Sequence, residues 1–121
     1  MINLRTRKTA DKYKKHIANG FLANGCNLCK NNKDELIKEF KHWRIVDNIF
    51  PWDRITKIHH MIIPKRHIKG IDLTKTEISE LESIKSKYIN KKYQIIAEPV
   101  RKYKSIPEHF HLHLIVIKDN I

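Results

Sequence analysis

Within its 121 residues the chain lacks any apolar run near the roughly 18 to 20 residues needed to span a bilayer. Its first residues, Met1-Ile-Asn-Leu-Arg-Thr-Arg-Lys, carry charge with no apolar stretch behind it, so they do not form a signal-peptide pattern. These two absences predict an intracellular, cytoplasmic protein that makes no use of a membrane. Repeats, linkers and low-complexity tracts are missing as well, which leaves one domain with one core. Cysteine is scarce: Cys26 and Cys29 are the only two. In a reducing compartment they are not expected to form a structural disulfide. Acidic residues are few, 13 against 25 Lys and Arg, for a formal charge of +12. A field of that sign attracts nucleotides or nucleic acid, although a Lys-rich composition that only solvates the surface gives the same count.

What is present is ordinary for a folded domain, with 40% hydrophobic and 31% charged residues. Residues 1–8 are expected to be basic and frayed. Thr9 and residues 10–19 form a short helix with Tyr13 and Ile17 on one face and Gly20 as its stop. Strands are expected over residues 40–48, 57–63, 93–97 and 109–117, the second ending at Pro64. Thr74-Lys-Thr-Glu77 is a capping-box sequence, and Ile78, Leu81, Ile84 and Tyr88 recur at helical spacing behind it, giving a main helix over residues 75–90. Strands grouped around one amphipathic helix, without strand-helix alternation, predict an α+β fold with an antiparallel sheet.

Residues 109–115, His-Phe-His-Leu-His-Leu-Ile, alternate strictly. Side chains on a strand point to opposite faces with period two, so His109, His111 and His113 share one face while Phe110, Leu112 and Leu114 turn toward a core. Neighbouring imidazoles then stand about 6.5 Å apart along the strand, close enough to bracket a phosphate. A neutral imidazole is a good nucleophile near neutral pH, and a second ring can donate to developing negative charge. Cys26-x-x-Cys29, between the turn-forming pairs Asn24-Gly25 and Asn31-Asn32, is open between a redox pair, an isolated metal knuckle and chance. No strand feeds a helix there, which disfavours a thioredoxin-like site.

Here the chain resembles the histidine-triad (HIT) family, and within it the zinc-containing, Hint-like branch. Residues 109–115 match the signature His-φ-His-φ-His-φ-φ at every position, φ being hydrophobic. The upstream stretch His59-His60-Met61-Ile62-Ile63-Pro64-Lys65-Arg66-His67 is similar to the family's His, apolar run and Pro-Lys-x-His. The likeness covers residues 24–117, with residues 1–20 as an N-terminal extension. It implies a HIT-like fold and a nucleotide hydrolase or nucleotidyl transferase that cleaves at the α-phosphate. The substrate class is a nucleoside phosphoramidate, a dinucleoside polyphosphate or a nucleotide conjugate, and the intermediate is a covalent nucleotidyl-histidine. By the same resemblance His111 is the nucleophile, His113 donates to non-bridging oxygens and His59 helps hold the phosphate. Ser105 donates to the leaving group, and Asp47, Asn48 and Ile49 receive a purine nucleotide. A structural zinc ion held by Cys26, Cys29, His67 and His109 is implied, as is a homodimer.

Departures from the family shape the alternatives. The loop at residues 98–108 lacks glycine and carries Arg101, Lys102 and Lys104, which points to a more anionic leaving group. The Phe50-Pro-Trp-Asp-Arg54 segment is longer than the family's usual connection, and Trp52 stands between two readings, packing at a turn or base stacking. A basic nucleic-acid-binding module without turnover is the alternative from another class. An enzyme removing adenylyl groups from nucleic-acid ends lies between the two.

Overall fold

The computed structural model describes residues 4–20, 25–30, 33–100 and 106–119. Five antiparallel strands form one sheet in the order β1-β2-β3-β5-β4: β1 Leu36–Glu39, β2 Trp43–Asp47, β3 Thr56–Pro64, β4 Ile95–Ala97 and β5 Leu112–Ile117. The short β1, absent from the sequence expectation, pairs with β2 through a register shift between Leu36 and Lys38. Its lone apolar pair Leu36-Ile37 is too brief to carry a strand period.

The helix α2 covers residues 75–92 and contains a π-helical turn at Lys85–Ile89. The capping box is formed: Thr74 Oγ1 accepts from the Glu77 N–H at 3.1 Å, and Glu77 Oε1 accepts from the Thr74 N–H at 2.9 Å. The buried stripe differs from expectation at one point. Ile78 is 45% exposed while Glu77 is 3% exposed, so the face runs through residues 77, 81 and 84, and the π turn then brings Ile89 to 1% exposure. On this side of the sheet Trp43, Ile45, Ile62, Leu112 and Leu114 pack against Leu81, Ile84 and Ile89. The opposite face carries a smaller cluster of Leu28, Val46 and Ile63.

The triad strand begins later than its alternation predicts, at Leu112 rather than His109. Its last partner pair with β3 is Ile62 with Leu112, and Pro64 has no N–H to extend the ladder. The chain there bonds elsewhere: the Phe110 N–H donates to the Ile68 carbonyl at 2.7 Å.

At the N-terminus the helix α1, Arg7–Ala18, is capped by Thr6 rather than Thr9. Residues 4–8 are anchored rather than frayed. Asp53 accepts from the Thr6 N–H at 2.7 Å, the Thr6 hydroxyl at 3.0 Å and the Thr9 hydroxyl at 2.5 Å. The Arg54 N–H donates to the Leu4 carbonyl at 3.0 Å. These bonds draw the Asp53 carboxyl below its ordinary range against the opposing pull of desolvation. Tyr13 and His16 lay their rings on Phe50 at 5.0 Å each. Gly20 ends the helix at φ +89°, and its N–H bonds the Ile17 carbonyl.

Candidate active site and metal centre

Partner residues across the antiparallel ladder share a face, so Met61 and His113 point the same way, as do His59 and Ile115. His59 and His113 are therefore diagonal neighbours on the face away from α2. Their nitrogens meet, Nε2 of His59 to Nδ1 of His113, at 2.7 Å. Direction follows from the next bond along. The backbone N–H of Trp52 donates to His59 Nδ1 at 2.9 Å, so a neutral His59 holds its proton on Nε2 and gives it to His113 Nδ1. Neutral His113 then holds its own proton on Nε2. Burial first, then the charge of Arg5 and the neighbouring His60, bring the His59 pKa down to about 4, which keeps His59 neutral near pH 7.

His111 is fixed in the opposite sense. Its Nδ1 lies 2.9 Å from the His109 carbonyl, which can only accept, so Nδ1 carries the proton and Nε2 carries the lone pair. Its ring stands edge-on to His113 with centroids 5.3 Å apart. Both rings are buried, at 7% and 6% exposure. The arrangement places a nitrogen nucleophile beside an N–H donor on adjacent rings.

His109 takes a different neighbourhood. Its Nε2–H donates to the Pro64 carbonyl at 3.0 Å, and its Nδ1 stands 3.4 Å from Cys26 Sγ and 3.3 Å from Cys29 Sγ. Nδ1 of His67 lies 3.1 Å from Cys29 Sγ. One ligand atom from each of the four residues falls within 4.8 Å of the others. A tetrahedral zinc ion with its usual bond lengths sets ligand atoms about 3.3 to 3.8 Å apart, so the set fits zinc with little adjustment. The carbonyl that takes the Nε2 proton of His109 leaves Nδ1 as its ligating atom, the usual outer-shell device for a metal-bound histidine. Desolvation and the adjacent Cys26 push the Cys29 thiol up to about 11, and a cation is what offsets two thiolates held so close.

Two residues supporting this cluster, Arg44 and Arg66, were not singled out by sequence reasoning, and a third, Glu77, was read only as part of the capping box. Arg44, 7% exposed, donates through Nη2 to the Leu28 carbonyl inside the Cys-x-x-Cys turn. Arg66 grips the buried Glu77 carboxylate at 3.1 and 2.7 Å, holding the segment that carries His67 to the start of α2. That pair, with desolvation opposing it and the Thr74 bonds assisting, lowers the Glu77 pKa to about 2. The buried position of Glu77 one turn before Leu81 was the available signal. For Arg44 there was none, since both faces of β2 are buried.

Among the other anticipated positions, Asn48 comes closest to the histidines. Its Nδ2 is 3.3 Å from His59 Nε2 and its Oδ1 accepts from the Phe50 N–H at 2.9 Å. Asp47 pairs in register with His60 and lies 3.9 Å from its Nε2, on the α2 side of the sheet. Ile49 is 43% exposed. Trp52 stacks on the imidazoles, its ring 4.3 Å from that of His113 and 4.7 Å from that of His59. Ser105, Arg101, Lys102 and Lys104 lie outside the described residues.

No family model matches the sequence, and no curated protein matches it. Among solved structures, one described as "Hit Like Protein" superposes with a TM-score of 0.51 at 17% identity, covering 82% of this chain and 95% of that one. At that identity the likeness concerns the fold. None of the helices among the described residues is long and apolar enough to cross a membrane. The chain thus has the fold of that HIT-like protein and, among its described residues, a Cys2His2 cluster that could hold a metal ion such as zinc.

Proposed function

We propose that the protein is a nucleotide hydrolase or nucleotidyl transferase that works at the α-phosphorus of a nucleoside phosphoramidate, dinucleoside polyphosphate or related conjugate. The observation that carries this reading is the pair of opposed tautomers: His111 bonded through Nδ1 to the His109 carbonyl at 2.9 Å, and His113 accepting at Nδ1 from His59 at 2.7 Å. In the first step the His111 Nε2 lone pair forms a bond to phosphorus while the bond to the leaving group breaks. The leaving group takes a proton from Ser105, and the new imidazolium is stabilised by the carbonyl already bonded to its Nδ1–H. His113 Nε2–H donates to the non-bridging oxygens. Water then forms a bond to phosphorus as the P–N bond breaks, its proton returning to Ser105, which releases the nucleoside monophosphate and restores His111 with its Nε2 lone pair. Asn48, beside His59, and the exposed Ile49 would receive a purine nucleotide, whereas Asp47, on the α2 side of the sheet, would serve it only at the edge of the site. A zinc ion held by Cys26, Cys29, His67 and His109 would supply no chemistry to these steps; it would fix the backbone two residues from the nucleophile.

The test is release of AMP from adenosine 5′-phosphoramidate by the wild type and by His111→Ala, with zinc content recorded on the same preparations. Turnover by the wild type alone, with both chains folded, upholds the reading. Equal rates in the two would remove His111 from the mechanism.

A further inference from the structure

Between the first turns of α1 and Arg54 lies an open cavity of ≈ 340 Å³ lined by Arg5, Arg7, Ala10, Asp11, Lys14 and Arg54. Four cations face one carboxylate across it. Arg7 and Asp11 are paired at 4.0 Å, but both side chains are largely exposed, and such a pair neutralises little. Arg5 is held in place. Its Nε donates to the Phe50 carbonyl at 2.9 Å, and its guanidinium lies 4.3 Å from the centroid of the Tyr13 ring. The Asp53 carboxylate also acts on that guanidinium, but its oxygens accept from Thr6 and Thr9.

We propose that this cavity is a phosphate subsite, filled by phosphate groups that a ligand carries beyond the one at His111. Guanidinium groups suit it because their forked N–H donors match phosphate oxygens. Position supports it too. The Phe50 carbonyl holds Arg5, and the Trp52 N–H holds His59. Two residues of chain span at most about 7 Å, so Arg5 at the cavity and His59 in the histidine pair are held from neighbouring points of one short segment. The charge of Arg5 is felt at His59. The α1 helix continues the field with Lys8, Lys12 and Lys15, exposed over about two turns. A substrate with a single phosphate leaves the cavity empty; one bearing several phosphates, as a polyphosphate chain or a nucleic-acid strand, bridges both.

That the other end of the ligand lies at His111 rests on the hydrolase reading above, whereas binding to the cavity can be measured without turnover. Titration calorimetry with a 12-residue oligothymidylate and with inorganic tripolyphosphate, each at 50 and 200 mM salt, would compare three full-length proteins. These are the wild type, Arg7→Ala/Lys14→Ala/Arg54→Ala, and a charge-matched control, Lys75→Ala/Lys87→Ala/Lys91→Ala, on the exposed side of α2. The expected result is a loss of affinity of about tenfold or more in the cavity variant alone. For the oligothymidylate its log-log salt slope should also flatten by about 0.7 for each phosphate contact removed. The tighter of the two probes names the source of the phosphates. An equal loss in the control would reduce the effect to net charge and overturn the subsite, as would no measurable binding of either probe by the wild type at 50 mM salt. Were the phosphoramidate test to fail while the cavity variant lost affinity here, the hydrolase reading would fall and the subsite would stand.

Discussion

On the α2 side of the sheet, Trp43, Ile45, Ile62, Leu112 and Leu114 meet Leu81, Ile84 and Ile89; on the other side, Val46 and Ile63 share their space with Arg44, His59, His113 and the Cys26–Cys29 turn. The first face is held by apolar burial, which is non-directional and tolerates small shifts. The second is held by hydrogen bonds of fixed direction and by four ligand atoms that converge on one point. Stability is concentrated in one face and chemistry in the other. The Trp43 indole joins them from the core side, donating to the Glu77 carbonyl at 2.9 Å, while Glu77 in turn holds Arg66 and the His67 segment.

The sharpest way to test that division is to damage each face separately. Leu114→Ala, at a residue 0% exposed in the core, should cost about 2 to 5 kcal/mol in denaturant unfolding. Molecules that remain folded should keep their turnover. His111→Ala should lower AMP release by about 10³-fold or more and leave the unfolding midpoint nearly where it was. If the histidine variant unfolds as readily as the leucine variant, the two faces do not divide the work as argued.

Zinc removal should produce the next largest change, and an asymmetric one. Cys29→Ser, or chelation of the wild type, should abolish metal binding and lower the melting temperature by several degrees, because binding free energy is folding free energy where a site is assembled only by the fold. The far-UV circular dichroism of α2 should persist, since its packing against the sheet involves none of the four ligands. Purified protein containing no zinc, with a melting temperature indifferent to added zinc, would overturn the metal assignment.

Much of this was legible in the sequence because it depends on period and spacing. The alternation of residues 109–115 turned Phe110, Leu112 and Leu114 toward a core, and Leu112 and Leu114 are indeed buried in the one beneath α2. Thr74 and Glu77 announced the start of α2. The four ligand positions converge as the family resemblance implied. What escaped was tertiary in origin. Thr6 rather than Thr9 caps α1 because Asp53, 47 residues away, accepts from it. Glu77 displaces Ile78 from the buried stripe because Arg66 supplies its counter-charge. Arg44 is buried because a carbonyl in a distant turn needs a donor. A one-dimensional pattern carries none of these partners.

Acid should weaken the fold in two successive windows, one for each face. In the unfolded chain His59 takes up a proton as pH falls through about 6.5; in the folded chain it stays neutral until about 4. The unfolded state binds more protons between those values, so stability declines as pH drops from 6.5 to 4, by roughly 2 to 3 kcal/mol. Glu77 follows: unfolded, it protonates near 4.5, while folded it remains ionised to about 2, so its contribution is complete above 4.5 and lost as pH falls toward 2. Urea unfolding of the wild type, His59→Gln and Glu77→Gln at pH 7, 5.5, 4 and 3 separates them. His59→Gln should flatten the upper window alone and Glu77→Gln the lower alone. Equal slopes in all three proteins would place the acid sensitivity elsewhere.

The smallest effect should come from Gly70→Ala, where the two faces meet. A Cβ at Gly70 would stand 2.7 Å from Phe110 Cδ1 and 3.1 Å from Cε1, too close for the ring to stay where it is. Phe110 cannot move freely. Its ring packs edge-on against Trp43 at 6.0 Å, and its N–H is bonded to the Ile68 carbonyl, with the metal ligand His109 directly before it. A rotation of the ring alone should cost about 1 kcal/mol and leave zinc affinity within a few fold of wild type in a chelator competition. A shift carried through the backbone would instead displace His109 and lower zinc affinity much further at the same cost in stability. The ratio of the two losses therefore reports whether the apolar face and the metal face are coupled through Phe110 or only adjoin there.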